Sequence, residues 1–111
     1  MQSTEQVSAE QAETTTAAVV RIHTYVVEPK NLAEFLTRRA MVIDLIRAAH
    51  PGLVATRLVR LEDGTYTDTW HWESMPAMAA AFPMAQIPEA AAAWSLTSDS
   101  SAVSGEVVAE H

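Results

Sequence analysis

The sequence predicts an α+β fold, one antiparallel sheet with helices on a single face. Three observations carry this. Hydrophobic spacing alternates between about 2 and about 3.6 residues, in the order strand, helix, strand, strand, helix, strand. Asp63-Gly64 separates two β-rich runs, and Asp-Gly suits a tight hairpin because both residues tolerate positive φ. The region after Ser74 is rich in alanine, whose small side chain lets helices sit close on a sheet. The 111 residues suit one domain.

The elements follow in order. Ala18–Val27 (AVVRIHTYVV) is β-branched and aromatic and reads as a strand. Glu28-Pro29 ends it. Lys30–His50 reads as a long helix, with Leu32, Phe35, Leu36, Ile43 and Ile46 at helical spacing and Arg38, Asp44 and Arg47 on other faces. His50-Pro51-Gly52 stops it, since Pro cannot continue the ladder and Gly suits the reversal. Leu53–Leu61 and Thr65–Glu73 form the hairpin. With Asp63 and Gly64 as a two-residue loop, Glu62 pairs with Thr65, which sets Val59 opposite Asp68, Arg57 opposite Trp70 and Ala55 opposite Trp72. Ser74 caps the next helix, with Pro76 in its first turn. That helix ends near Pro83, and a second short piece covers Pro88–Trp94. Ser95–Ser101 reads as a polar linker and Val103–Ala109 as the last strand, weakened by Gly105. This order is the split βαβ pattern of ferredoxin-like βαββαβ domains.

Composition excludes several functions. There is no cysteine, so disulfides, thiolate catalysis and iron–sulfur clusters are ruled out, and a reducing cytoplasm fits. The formal net charge is −7 and no basic stripe exists, which argues against nucleic acid as partner. No apolar run reaches the ~18 residues that cross a membrane. Residues 1–16 are polar and acidic, without Lys or Arg. They lack the basic start and apolar core of a signal peptide and read as a disordered tail ahead of a 17–111 domain. The four histidines have no metal-ligand spacing, and no glycine-rich phosphate loop or nucleophile elbow occurs, so no cofactor or metal is expected.

Strand parity then divides the hairpin. One face carries Tyr66, Asp68, Trp70 and Trp72 with Ala55, Arg57 and Val59; large aromatics place it under the helices. In the first strand Arg21, His23 and Tyr25 share one side, and parity alone does not say which side joins the tryptophans. Val20, Ile22, Val26, Val54 and Leu58 make apolar stripes on the uncovered face, which calls for a second copy of the chain to bury them.

His50-Pro51-Gly52-Leu53-Val54, then Leu61-Glu62-Asp63-Gly64-Thr65, then Trp70-His71-Trp72-Glu73-Ser74 with an Ala-rich helix after it, resemble antibiotic biosynthesis monooxygenases. The likeness runs through nearly the whole chain after residue 17. It implies a dimeric α/β barrel, two sheets face to face, with a pocket in each subunit between sheet and helices. By the resemblance, His23 occupies the position of a pocket Asn in haem-degrading relatives, which puts it on the tryptophan face, and Trp72 matches the family tryptophan. Asp68 stands where polyketide-oxidising members carry Asn, and Met78 where they carry Tyr. Phe82 replaces the histidine that ligates haem, so haem degradation is not expected.

The expected site follows. His23 is a candidate general base, because imidazole titrates near neutrality. Asp68 is a candidate acid–base partner, held by Arg57, or else a structural ion pair. Trp72, Trp70, Tyr66, Tyr25 and Met78 would bind a small aromatic hydrophobic ligand or serve as plain core. The resemblance implies a cofactor-independent monooxygenase acting on a polycyclic phenol, anthrone or quinol. A polyketide cyclase or isomerase on the same scaffold and a non-catalytic binding module remain open.

Overall fold

The computed structural model describes residues 17–111; the expected tail at 1–16 lies outside the described residues. The elements are β1 (Val19–Val27), a 3-10 turn (Pro29–Asn31), α1 (Leu32–Ala49), β2 (Leu53–Arg60), β3 (Tyr66–Trp72), α2 (Met75–Ala81), a second 3-10 turn (Phe82–Gln86), α3 (Pro88–Trp94) and β4 (Thr97–Glu106). The sheet order is β2-β3-β1-β4 with every neighbouring pair antiparallel. This is the ferredoxin-like α+β arrangement. Among the described residues, no helix is long and apolar enough to cross a membrane.

Helix α1 buries Phe35, Val42, Ile43 and Ile46. These positions lie on one face of a 3.6-residue helix; Leu36, read as part of that face, points outward. At its end the His50 backbone N–H donates to the Ile46 carbonyl, and Pro51 blocks continuation. Gly52 must be small. A Cβ there would stand 2.8 Å from the Ala77 Cβ, while the Gly52 carbonyl accepts the Glu73 N–H at 2.9 Å. Ser74 caps α2 as expected, its hydroxyl accepting the Ala77 N–H at 3.2 Å.

The hairpin corrects the expected register. Its loop has three residues, Glu62-Asp63-Gly64, not two. Leu61 N–H donates to the Thr65 carbonyl at 2.8 Å and Gly64 N–H to the Leu61 carbonyl at 3.0 Å. Gly64 takes φ +89°, the left-handed residue that completes a turn-plus-bulge loop. The Asp63 carboxylate accepts the Thr65 backbone N–H at 2.9 Å and its hydroxyl at 2.7 Å. Those two bonds favour the ionised form and hold its carboxyl below the usual range. The extra loop residue moves the pairs from Ala55 to Arg60 by one: Leu58 faces Asp68, Thr56 faces Trp70 and Arg57 faces Thr69. A one-residue slip turns each side chain to the other face. Arg57 therefore leaves the helix-covered side, and Leu58 leaves the open side to pack on the core. A bulge between Leu53 and Ala55 keeps Leu53 inward, opposite Trp72.

β4 starts earlier than expected and takes in most of the stretch read as a linker. It is an edge strand, exposed along most of both sides, so it carries no hydrophobic alternation to read. Asp99 at φ 54° coincides with a pairing shift between Thr24 and Val26, a bulge.

Under the helices the core forms two clusters. One gathers Val19, Val42, Ile46, Leu53, Trp70, Trp72, Met78 and the buried alanines of α2 and α3. The other gathers Tyr25, Val27, Phe35 and Tyr66. No described element covers the opposite face of the sheet. That face carries Val20, Ile22 and Val26, joined by Val59 and by Val103, which is 63% exposed.

Candidate functional site

Two polar arrangements sit side by side beneath the helices. The first is centred on Asp68, which is 0% exposed. Its Oδ2 accepts the Tyr25 hydroxyl at 2.6 Å and Arg39 Nε at 3.0 Å. Its Oδ1 accepts Arg39 Nη2 at 2.7 Å and the Trp70 indole N–H at 3.0 Å. The Arg39–Asp68 contact is a two-point ion pair, the strong form of this interaction. Burial alone would lower the Arg39 pKa, but the bond and charge of Asp68 outweigh it, and the guanidinium is held above its ordinary value. Burial and the Asp68 charge push the Tyr25 phenol well above its usual range, so Tyr25 stays a donor.

The expected holder of Asp68, Arg57, is corrected here. Arg57 lies on the open face, and Arg39 from α1 takes the role. Arg39 stands four residues after Phe35 and seven before Ile46, inside the buried stripe of its helix. That placement is a sequence signal: one cation interrupts an apolar face, and one acid interrupts the facing strand.

The second arrangement surrounds a cavity of about 160 Å³. Arg21 and His23 of β1 and Trp70 and Trp72 of β3 form its floor; Val42 and Ile46 of α1, Met78 and Ala81 of α2, Phe82, Met84 and Ala85 of the following turn, and Ala90 and Trp94 of α3 form its walls. The His23 ring lies 6.4 Å from the Trp94 ring at 16° and meets Trp70 edge-on at 6.3 Å. No described residue hydrogen-bonds the imidazole. Burial lowers its pKa from 6.5, opposed by the Asp68 charge across the strand pair and reinforced by Arg21. The ring is therefore neutral at pH 7, with a nitrogen lone pair to accept a proton. Arg21 donates from Nη1 to the Ser104 hydroxyl at 2.9 Å, and its guanidinium carbon lies 5.8 Å from the Phe82 ring centre.

Of the expected site residues, His23, Trp70, Trp72 and Met78 meet at this cavity. Asp68, Tyr25 and Tyr66 do not line it. Asp68 lies one strand over from His23 and bonds one lining residue directly, Trp70, whose indole it orients. Tyr66 accepts Arg60 Nε at 2.9 Å and stacks near Tyr25 at 6.4 Å. Trp94 and Phe82 were missed as wall residues; an isolated Trp at the end of an Ala-rich helix was the available signal.

No family model matches the sequence, and no curated protein does. Solved structures are similar over most of the chain. One is a Caulobacter crescentus protein provisionally named an antibiotic biosynthesis monooxygenase, with TM-score 0.62 and 18% identity over 93% of this chain and 99% of that one. Another is SnoaB from Streptomyces nogalater, a cofactor-independent oxygenase, with TM-score 0.62 and 25% identity over 86% of this chain and 95% of that one. A dimeric ferredoxin-like protein from an uncultured marine organism has TM-score 0.64 and 14% identity over 91% and 96%. Together they establish the fold, and several of the similar structures carry the antibiotic biosynthesis monooxygenase name.

Proposed function

We propose that the protein is a monooxygenase-like enzyme that oxidises an aromatic phenol, anthrone or quinol with O₂ and no bound cofactor. The observation that carries this is the His23 imidazole, without a hydrogen-bond partner among the described residues, lining a cavity together with three tryptophans. The likeness to a cofactor-independent oxygenase supports it. His23 takes the phenolic or enolic proton of the substrate. The resulting electron-rich anion passes an electron to O₂, the two radicals combine into a hydroperoxide, and loss of water leaves the carbonyl. One O₂ oxidises one CH₂ to C=O, with the second oxygen atom leaving as water. Trp70, Trp72 and Trp94 hold the flat ring and keep water out. Asp68 orients Trp70, and its oxygens are occupied by bonds made within the fold.

Oxygen uptake with an anthrone substrate, in the presence of a metal chelator, tests the reading. Stoichiometric O₂ consumption supports it. Conversion under strictly anaerobic conditions would overturn it in favour of a cyclase or isomerase.

The same reading includes a homodimer. Val20, Ile22, Val26, Val59 and Val103 would leave an apolar patch in water, which monomers rarely tolerate, and one similar structure is dimeric. Sheet-to-sheet pairing about a two-fold axis buries it. A stable monomer in light scattering at micromolar concentration would remove this part.

A further inference from the structure

The cavity contains one feature that oxidation of a neutral polycyclic substrate leaves unused. Arg21 is the one charged side chain among its described lining residues. Of its five N–H donors, one is engaged by Ser104, and no described carboxylate lies within ion-pair distance of it. By register two acids stand equally near, each two positions along β1 from Arg21: Glu106, which faces Val19, and Asp68, which faces His23 and is already bonded to Arg39, Tyr25 and Trp70. Size is the second feature. At about 160 Å³ the space, which opens to the surface, is close to the engineered cavity of roughly 150 Å³ that holds benzene in another protein. One substituted ring fills it, and a larger ring system would extend out through the opening. Geometry is the third. Arg21 and His23 stand two residues apart on one strand face, about 7 Å along the strand. That spacing is enough for the two side chains to meet different substituents of one ring.

We propose that the ligand is a single-ring phenolic acid whose carboxylate pairs with Arg21 at the mouth while its hydroxyl meets His23 within. This rests on the reading above for the hydroxyl, and it makes Arg21 the residue that selects acids over neutral aromatics. A carboxylate can take two guanidinium N–H bonds at once. The half-exposed Phe82 ring flanks the guanidinium.

All three tryptophans of the chain line the cavity, so their fluorescence reports occupancy in the full-length protein. The probes are para-hydroxybenzoate, its methyl ester and a tricyclic anthrone. The acid is expected to bind about 10-fold or more tighter than the ester, and added salt to weaken the acid alone. Arg21→Gln is expected to bring acid and ester within about 2-fold, and Arg21→Lys to keep a preference for the acid. Equal affinity of the wild type for acid and ester would overturn the proposal, and this comparison needs no variant to fold. So would an anthrone that binds tighter than the acid, or an Arg21→Gln protein that loses both ligands equally. Oxygen uptake is measured separately. Acid preference without uptake sinks the oxygenase reading and leaves the Arg21 assignment standing. Uptake with a neutral anthrone and no acid preference does the reverse.

Discussion

The two ends of the helix-covered face treat polar groups in opposite ways. Around Asp68, every carboxylate bond is made inside the protein and Phe35, Tyr25 and Tyr66 fill the surroundings. Around His23, the imidazole has no bonding partner among the described residues and faces empty space. The two residues are direct partners across β1 and β3, so position in the sheet does not separate their roles. Satisfaction does. A buried acid with all its partners in the fold is committed to structure. A neutral base beside a hollow keeps its lone pair for something that enters.

Substituting the two partners separately breaks or upholds this contrast. His23→Ala should reduce turnover about 10²–10⁴-fold, the usual share of a general base, with little loss of stability because the side chain already borders a void. Steady-state kinetics and a urea titration on the same preparation measure both. Asp68→Ala should do the opposite. It leaves the Arg39 charge uncompensated, at 12% side-chain exposure, and strands two further donors. The expected cost is about 3–5 kcal/mol by urea denaturation, with ligand affinity per folded molecule within a few-fold of the parent. A stable Asp68→Ala protein with abolished chemistry would show that the two ends form one catalytic unit.

Much of this was legible in the sequence. The element order, the Ser74 cap and the side of β1 bearing His23 are where periodicity and the family likeness put them, because buried β1, α1 and β3 carry strong patterns. The hairpin was misread by one residue. Asp-Gly marks a turn, yet it serves both a two-residue loop and the last positions of a three-residue loop, and the choice rests on hydrogen bonds of Leu61 and Thr65 that composition does not encode. That single residue exchanged Arg57 for Leu58 beneath the helices and hid Arg39 as the partner of Asp68. The start of β4 escaped for a different reason. An edge strand wet on most of both sides has no alternation to detect, and its Ser-rich start is held by backbone pairing to β1.

Trp70 belongs to both ends, its indole N–H on Asp68 and its ring in the cavity wall. Trp70→Phe keeps an aromatic wall and removes the bond. The expected loss is about 1–3 kcal/mol of stability, the range for a hydrogen bond to a buried charged group. Binding of an aromatic ligand, followed by calorimetry, should weaken by only a few-fold. If binding collapsed while stability held, Asp68 would be acting on the cavity through Trp70 as more than an anchor.

The smallest effect is the response to pH, and here the two ends should fail on opposite sides of the scale. Burial lowers the folded pKa of His23 from 6.5, so between the folded and unfolded values the unfolded chain binds the extra proton. Its contribution is present above about 6.5 and is lost as pH falls through the lowered folded value, at no more than about 1.4 kcal/mol per pH unit. Asp68 and Arg21, the charges facing the ring, pull in opposite directions and leave burial dominant. The acid limb of kcat/KM belongs at the same lowered value, below 6.5. Tyr25 is the reverse case. Its folded pKa is raised from 10.0, so its contribution is complete below about 10 and is lost at higher pH, where the unfolded chain gives up the proton and the folded one does not. Subtracting the stability profile of His23→Gln from that of the parent cancels the carboxylates and the other histidines and should leave only an acid-side difference. The same subtraction with Tyr25→Phe should leave only an alkaline-side one. An acid limb above 6.5 in kcat/KM would mean that the imidazole is charged in the resting cavity, and a charged imidazole has no lone pair with which to take the proton.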